Sequence, residues 1–340
     1  MSASPRRRMI AAGGATVGIF LVIQLAALAL VEPFVSAGFQ AVEDPGDPTN
    51  TLAYFGAILV ATGVILVILR FDIGWLLKAV VAVMSGMLSL YVLVILVPRV
   101  VDIAGFNAIA WGLAGLIAVL LYVYPEWYVI DTAGILMGAG GAGLFGISFG
   151  PLPAILLLTV LAVYDAVSVY RTEHMLTLAA GVTDLKLPLV LVVPLSWGYS
   201  FIDDTPAVAG NDPAEGPTDG ATESAPSTGD GPAADADAMN RDAFFVGLGD
   251  AVLPSVMVAS AATFSTAPRI PMGVIALNLP ALGAMVGTLA GLVVLLWLVA
   301  KGRPHAGLPL LNGGSIGGYL LGAVASGIPP ATALGLAPYL

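Results

Sequence analysis

The chain has 340 residues, 58% of them hydrophobic and 10% charged, with a mean hydropathy of +0.96; a soluble domain with a wet surface is excluded, and most of the chain has lipid as its solvent. Cysteine is absent and the only histidines, His174 and His305, stand in polar segments, so disulfides and thiolate metal sites are excluded and neither a metal nor a cofactor is expected. The net charge of -10 is concentrated, because nearly half of the 22 acidic residues lie between Asp203 and Asp242, and with a pI near 4.4 the balance points to a high-salt, halophilic cytoplasm.

A hydrocarbon core about 30 Å thick requires about 20 apolar residues per helix, and such stretches recur along the chain. The first, residues 10 to 31, follows Arg6, Arg7 and Arg8 without a small-residue cleavage site and reads as a signal anchor. Hydropathy predicts further spans at 51 to 71, 75 to 97, 101 to 124, 128 to 149 and 152 to 171. The glycines between Gly134 and Gly150 are expected to serve close helix packing. Leu187 to Ile202 is too short and too interrupted, by Pro188 and Pro194, to cross; it is expected at the cytoplasmic face as an interfacial or extended segment. From Asp203 to Asn240 no aromatic residue occurs, and such a composition cannot bury enough apolar area to offset its ordering entropy. A disordered acidic linker is expected there, followed by spans at 243 to 264, 278 to 300 and 309 to 328.

The expected fold is therefore all-α, a polytopic membrane protein of about nine transmembrane helices. Its parts are residues 1–171 with six spans, a loop over 172–242 containing the linker from about 203 to 240, and residues 243–340 with three spans. With the amino terminus and the loop cytoplasmic and the carboxy terminus extracytoplasmic, all 12 basic residues except Arg99 and Arg269 fall inside, a strong positive-inside bias.

A carboxylate in hydrocarbon costs at least about 2.5 kcal/mol, so an ionisable residue deep in a span is a functional candidate. Asp102 and Asp131 sit near predicted helix ends and can reach headgroups, whereas Asp165 and Asp250 are internal. Both lie roughly 10 Å beneath the cytoplasmic interface at 1.5 Å per helical residue, so neighbouring spans six and seven would hold them level. Two carboxyls close together in a low dielectric cannot both ionise cheaply; one keeps a proton while the other stays charged. The ionised member can deprotonate an attacking water and the protonated member can donate to a peptide carbonyl. Gly247-Leu248-Gly249 precedes Asp250, and its glycines let another backbone approach beside the carboxyl.

Val163-Tyr164-Asp165 in span six and Gly247-Leu248-Gly249-Asp250 in span seven, with Arg171-Thr172-Glu173-His174-Met175-Leu176 between them, resemble the paired motifs of the presenilin and signal peptide peptidase family, the GxGD intramembrane aspartyl proteases. The chain looks closest to archaeal presenilin-like homologues. The resemblance implies an endopeptidase that cleaves transmembrane helices, with Asp165 and Asp250 catalytic and Tyr164 bonding near the site. That family also carries a Pro-Ala-Leu motif at the start of span nine. The literal Pro280-Ala281-Leu282 precedes span eight on the other side; the positional match is Pro309-Leu310-Leu311, with Leu310 in place of Ala. Together with Tyr164, Gly247, Leu248 and Gly249, these three are expected to contact substrate.

The competing reading is a secondary transporter with the two aspartates as a proton or cation relay, though no inverted repeat is evident. Expected partners are transmembrane helix substrates and the lipid bilayer, with no nucleic acid; homo-oligomerisation is left open. Deleting residues 206–238 should leave thermal stability and cleavage within about twofold of the full chain, because the segment has nothing to pack with; a melting curve and a cleavage assay on the deletion variant test this.

Overall fold

In hydrocarbon every backbone amide must find its partner within its own segment, so long apolar runs fold as helices. The computed structural model describes residues 5–71, 73–103, 105–171, 189–195, 199–202, 243–301 and 306–337. His174, the Thr172 to Leu176 part of the family motif, Lys186, Pro188, Trp197, the linker, Arg241, Arg303 and His305 lie outside the described residues.

In chain order the elements are α1 (Pro5–Ser36), α2 (Thr49–Arg70), α3 (Gly74–Leu96), the hairpin β1 (Asp102–Ile103) and β2 (Phe106–Asn107), α4 (Ala108–Val123), α5 (Trp127–Ser148) and α6 (Pro151–Arg171). After the loop come β3 (Val190–Pro194), β4 (Ala243–Gly247), α7 (Leu248–Phe264), β5 (Arg269–Met272), β6 (Ile275–Asn278), α8 (Leu279–Val299), α9 (Gly307–Ala325) and the short α10 (Pro330–Ala333). Each predicted span holds one of α1 to α9. Among the described residues six of these helices are long and apolar enough on their own to cross a membrane, and Ala108–Val123, Pro151–Val167 and Leu248–Phe264 are shorter apolar helices.

Two spans differ from expectation at their starts. Span four opens with the β1–β2 hairpin, whose turn has Gly105 at φ 85° and its amide bonded to the Asp102 carboxylate at 2.9 Å. Span seven opens with a strand, because Ala243 to Gly247 pairs antiparallel with Val190 to Pro194 and meets its backbone requirement across the ladder. The segment expected to be extended between Leu187 and Ile202 is thus a strand over its described core.

At the centre, α5 packs against α1, α3 and α7 through its glycines. A Cβ on Gly140 would meet the Leu88 carbonyl oxygen at 3.3 Å, and one on Gly143 the Phe34 ring at 3.0 Å. The closest pairing is α8 against α9. A Cβ on Gly283, Gly287 or Gly291 would land on the carbonyl oxygen of Gly318, Gly314 or Leu310, and a Cβ on Gly314 or Gly318 on that of Gly287 or Gly283. These helices run antiparallel with backbones in contact. Of each α9 doublet one glycine faces α8, while a Cβ on Gly313 or Gly317 meets nothing within 4 Å.

Helix α2 is nearly all lipid-facing, with 6% of its apolar window buried. It is held at its start, where Thr51 Oγ1 donates to the Pro153 carbonyl at 3.0 Å and Tyr54 packs edge-on against Phe145 and Phe149. Outside the membrane, Asp47 Oδ1 accepts the Thr49 amide at 2.8 Å, and that bond holds its carboxyl below the usual range. Trp75 and Trp111 are exposed, and Trp111 and Trp127 each make an edge-on ring contact.

Candidate active site

Asp165 lies on α6 and Asp250 in the first turn of α7. Asp250 is therefore three residues past the end of the β4 strand and not well inside a helix as the sequence reading had it. A carboxylate at that helical position faces the positive end of the helix dipole.

The start of α9 brings the two together. The first N–H groups of a helix have no intrahelical acceptor, and Leu308 N–H donates to Asp165 Oδ2 at 3.1 Å. On the adjoining residue, a Cβ on Gly307 would stand 3.5 Å from Asp250 Oδ2. Both carboxyls thus border the Gly307–Leu308 peptide and lie within electrostatic reach of each other. Asp165 is 7% exposed and Asp250 is half-buried. Gly247, the residue capping α7, is equally tight, since its Cβ would come within 3.3 Å of Asp250 Oδ2.

Polar side chains further along α9 fix it to both aspartate-bearing helices. Asn312 Nδ2 donates to the Leu158 carbonyl on α6, and Ser315 Oγ to the Pro254 carbonyl on α7, each at 3.0 Å. Pro254 sits within α7, one turn after Asp250. Tyr319 Oη donates to the Ala333 carbonyl at 2.6 Å and ties the far end of α9 to α10.

The β3–β4 ladder leads into the site. Leu191 pairs with Val246 and Val193 with Phe244, and Leu248 N–H donates to the Leu189 carbonyl at 3.0 Å. The Val192 amide points away from β4 and donates to Asp131 Oδ1 on α5 at 2.8 Å. By the alternation of an antiparallel pair, the amides of Phe245 and Gly247 point away from β3, along the outer edge of β4. Asp131, expected among headgroups, is instead turned inward to the strand.

Of the residues expected to contact substrate, Gly247 lies beside Asp250, Leu248 is buried against Gly134 and Gly138, and Gly249 has open space at its Cβ. Tyr164 is 51% exposed, on the outer face of α6 beside Asp165. Pro309 lies in the first turn of α9. The Leu310 carbonyl faces Gly291 on α8, and Leu311 is fully buried in a cluster with Phe20 and Leu292. The contact with the aspartates falls on Gly307 and Leu308, just upstream of that tripeptide. Pro280 is at the opposite end of the α8–α9 pair, beside Gly322. Sequence reading missed Gly307, Leu308, Asn312, Ser315 and Asp131. The recurrence of Leu308, Asn312, Ser315 and Tyr319 at helical spacing marks a face and was the available signal.

The profile of the family described as "Signal-peptide peptidase, presenilin aspartyl protease" matches residues 17–328. Two solved structures, both described as a presenilin family intramembrane aspartate protease, are similar to this chain. One, in a C222 crystal form, has 34% identity and a TM-score of 0.62, covering 92% of this chain and 99% of its own. The other, in a P2 form, has 33% identity and a TM-score of 0.56, covering 92% and 97%. No curated protein matches. Nothing in these findings favours an ion-coupled transporter. With its membrane helices, and with a family match over nearly its whole length, the chain belongs to the signal-peptide peptidase and presenilin family and is a multi-pass intramembrane aspartyl endopeptidase.

Proposed function

We propose that Asp165 and Asp250 are the catalytic pair. The observation that supports this most is that both carboxyls border one peptide, Gly307–Leu308, with Asp165 held by the Leu308 amide. With one proton shared between them, the ionised carboxylate takes a proton from a water as its oxygen attacks the scissile carbonyl carbon. The protonated partner donates to the carbonyl oxygen, giving a gem-diol and exchanging the roles of the two aspartates. Collapse of the gem-diol breaks the C–N bond: the departing nitrogen takes a proton from the carboxyl that gained one, and a gem-diol hydroxyl gives its proton to the aspartate left ionised, which yields the carboxylic acid and restores the pair. The pair titrates as a unit, so base and acid are states of the pair.

The substrate is a transmembrane helix that must unwind locally to expose a peptide bond, which leaves its amides unpaired in hydrocarbon. By resemblance to the family, Leu187 to Val193 would be the segment that pairs with the unwound strand. With β3 taken up by β4 on one side and by Asp131 on the other, the edge suited to strand addition is that of β4, ending at Gly247 beside Asp250. Gly307 and Leu308 then flank the scissile bond from the α9 side, Tyr164 lines the approach along α6, and Pro309 to Leu311 support that turn. The amino terminus and the 172–242 loop are cytoplasmic by their basic residues, which puts the hydrolysis near the inner leaflet.

In liposomes with a single-span substrate, the protein should cleave and Phe245→Pro should lower kcat/KM by about five- to thirty-fold. That corresponds to one or two backbone hydrogen bonds to substrate at about 1 kcal/mol each. Phe245→Ala, which keeps the amide, stays within about threefold of the original. Equal losses in both variants would remove the edge-pairing role.

A further inference from the structure

Two carboxylates of the α5 region take no part in the reaction, and both grip the segment that carries β3. Glu126, the residue capping α5 and 6% exposed, accepts the Ser200 hydroxyl at 2.7 Å and the Phe201 amide at 3.1 Å. Asp131, just over one turn further on, accepts the Val192 amide at 2.8 Å. Val192 is fully buried, and its neighbours Leu191 and Val193 are 1% and 5% exposed, so the buried amide depends on the carboxylate for its hydrogen bond.

The same face of α5 continues as a mould for the strand and for the start of α7. A Cβ on Gly134 would come within 2.8 Å of Leu191 Cδ2, and one on Gly138 within 3.5 Å of Leu248 Cδ1. Apolar packing of this kind fixes how closely the strand lies on the helix but lets it slide along its own axis. A single directed acceptor stops that sliding. From Val192 the constraint passes through the β3–β4 pairs to Gly247 and the Leu248 amide, two residues before Asp250.

We propose that Asp131 is a positioning residue for peptide-bond hydrolysis. Its carboxylate sets the register of β3, and through the ladder it sets both the reach of Asp250 and the place along β4 where the substrate strand stops. The proposal rests on Asp250 being catalytic. Glu126 holds the segment beyond the strand, so the chain is pinned on both sides of residues 196–198.

The experiment compares Asp131→Leu, which removes the acceptor at similar size, with Asp131→Asn, which keeps a carbonyl oxygen there. Asp250→Ala serves as the zero of activity. With a single-span substrate in liposomes, Asp131→Leu should lower kcat by about ten- to a hundred-fold, the scale of a small misplacement at a reacting centre, with KM within about twofold. Mass spectrometry of the products should show cleavage spread to neighbouring bonds, and the amide hydrogens of residues 189–195 should exchange faster. Asp131→Asn should match the original protein in rate, cleaved bond and exchange. A purely structural role would lower the folded yield without moving the cleaved bond.

Should Asp131→Leu fail to fold, Val192→Pro removes the same hydrogen bond from the strand side without touching the β4 ladder, and it should reproduce the shifted cleavage. The proposal is overturned if Asp131→Leu, or Val192→Pro in its place, cuts the same bond at the original rate. It is also overturned if Asp131→Asn is as impaired as Asp131→Leu, since charge and not position would then be what matters. An active Asp250→Ala would instead defeat the assignment of the catalytic pair, whatever position 131 does.

Discussion

Replacing either Asp165 or Asp250 with Asn is expected to reduce cleavage of a single-span substrate by about a thousandfold or more. In the proposed mechanism each substitution removes a group that moves a proton in both halves of the reaction, and one such group contributes about 10²–10⁴ to the rate. The double variant should be no slower than either single one, because groups that act as a unit lose their joint effect once. The substitution separates chemistry from architecture. The Asp165→Asn variant keeps a carbonyl oxygen for the Leu308 amide now bonded at 3.1 Å, so its melting temperature should stay within a few degrees of the original. Asp165→Ala also strips α9 of an acceptor for its first turn and should cost about 1 kcal/mol in addition. Rates measured in liposomes alongside melting curves decide the matter; a single variant that keeps a tenth of the activity would remove that aspartate from the pair.

The second large effect is expected far from the chemistry. In Gly287→Val or Gly318→Val the new side chain would fall on a backbone carbonyl of the opposing helix, and neither backbone can yield without parting α8 from α9. Overpacking costs typically about 1–3 kcal/mol, and a backbone obstacle belongs at the upper end. Activity should fall with stability, because α9 carries the Leu308 amide to Asp165 and the Asn312 and Ser315 bonds to α6 and α7. The control lies within the same doublets: Gly313→Ala and Gly317→Ala meet open space and should be neutral or slightly stabilising, by up to about 1 kcal/mol, through helix propensity. If all four variants melt alike, the tight α8–α9 contact is not what holds the site.

The aspartates and the helices were legible in the sequence because both are written in hydropathy. A carboxylate within an apolar run stands out, and about 20 apolar residues have few ways to satisfy their backbone. The start of span seven was not legible: Ala243-Phe244-Phe245-Val246-Gly247 is apolar under either a helical or a strand reading, and its partner strand lies far upstream, across the linker. Hydropathy carries no information about pairing over that distance. The residues facing the aspartates were displaced for a related reason. Reading Pro309-Leu310-Leu311 against a three-letter motif weighted side chains, whereas the contact is made by the backbone amide of Leu308 and by the empty side of Gly307. Asp131 was assigned to headgroups from its place near a helix end, since depth alone does not reveal the direction in which a side chain turns.

The proline within α7 bears on the polarity of the main chain beside Asp250. Pro254 has no N–H to return to the carbonyl four residues earlier, and that carbonyl belongs to Asp250. A backbone oxygen deprived of its helical N–H donor is a polar group that calls for another partner in a medium of low dielectric. The helix that supplies one carboxyl therefore also supplies a fixed hydrophilic point on its own main chain. Main-chain polarity beside Asp250 thus comes from one residue without an N–H inside an otherwise continuous helix, and needs no further polar side chain at that depth.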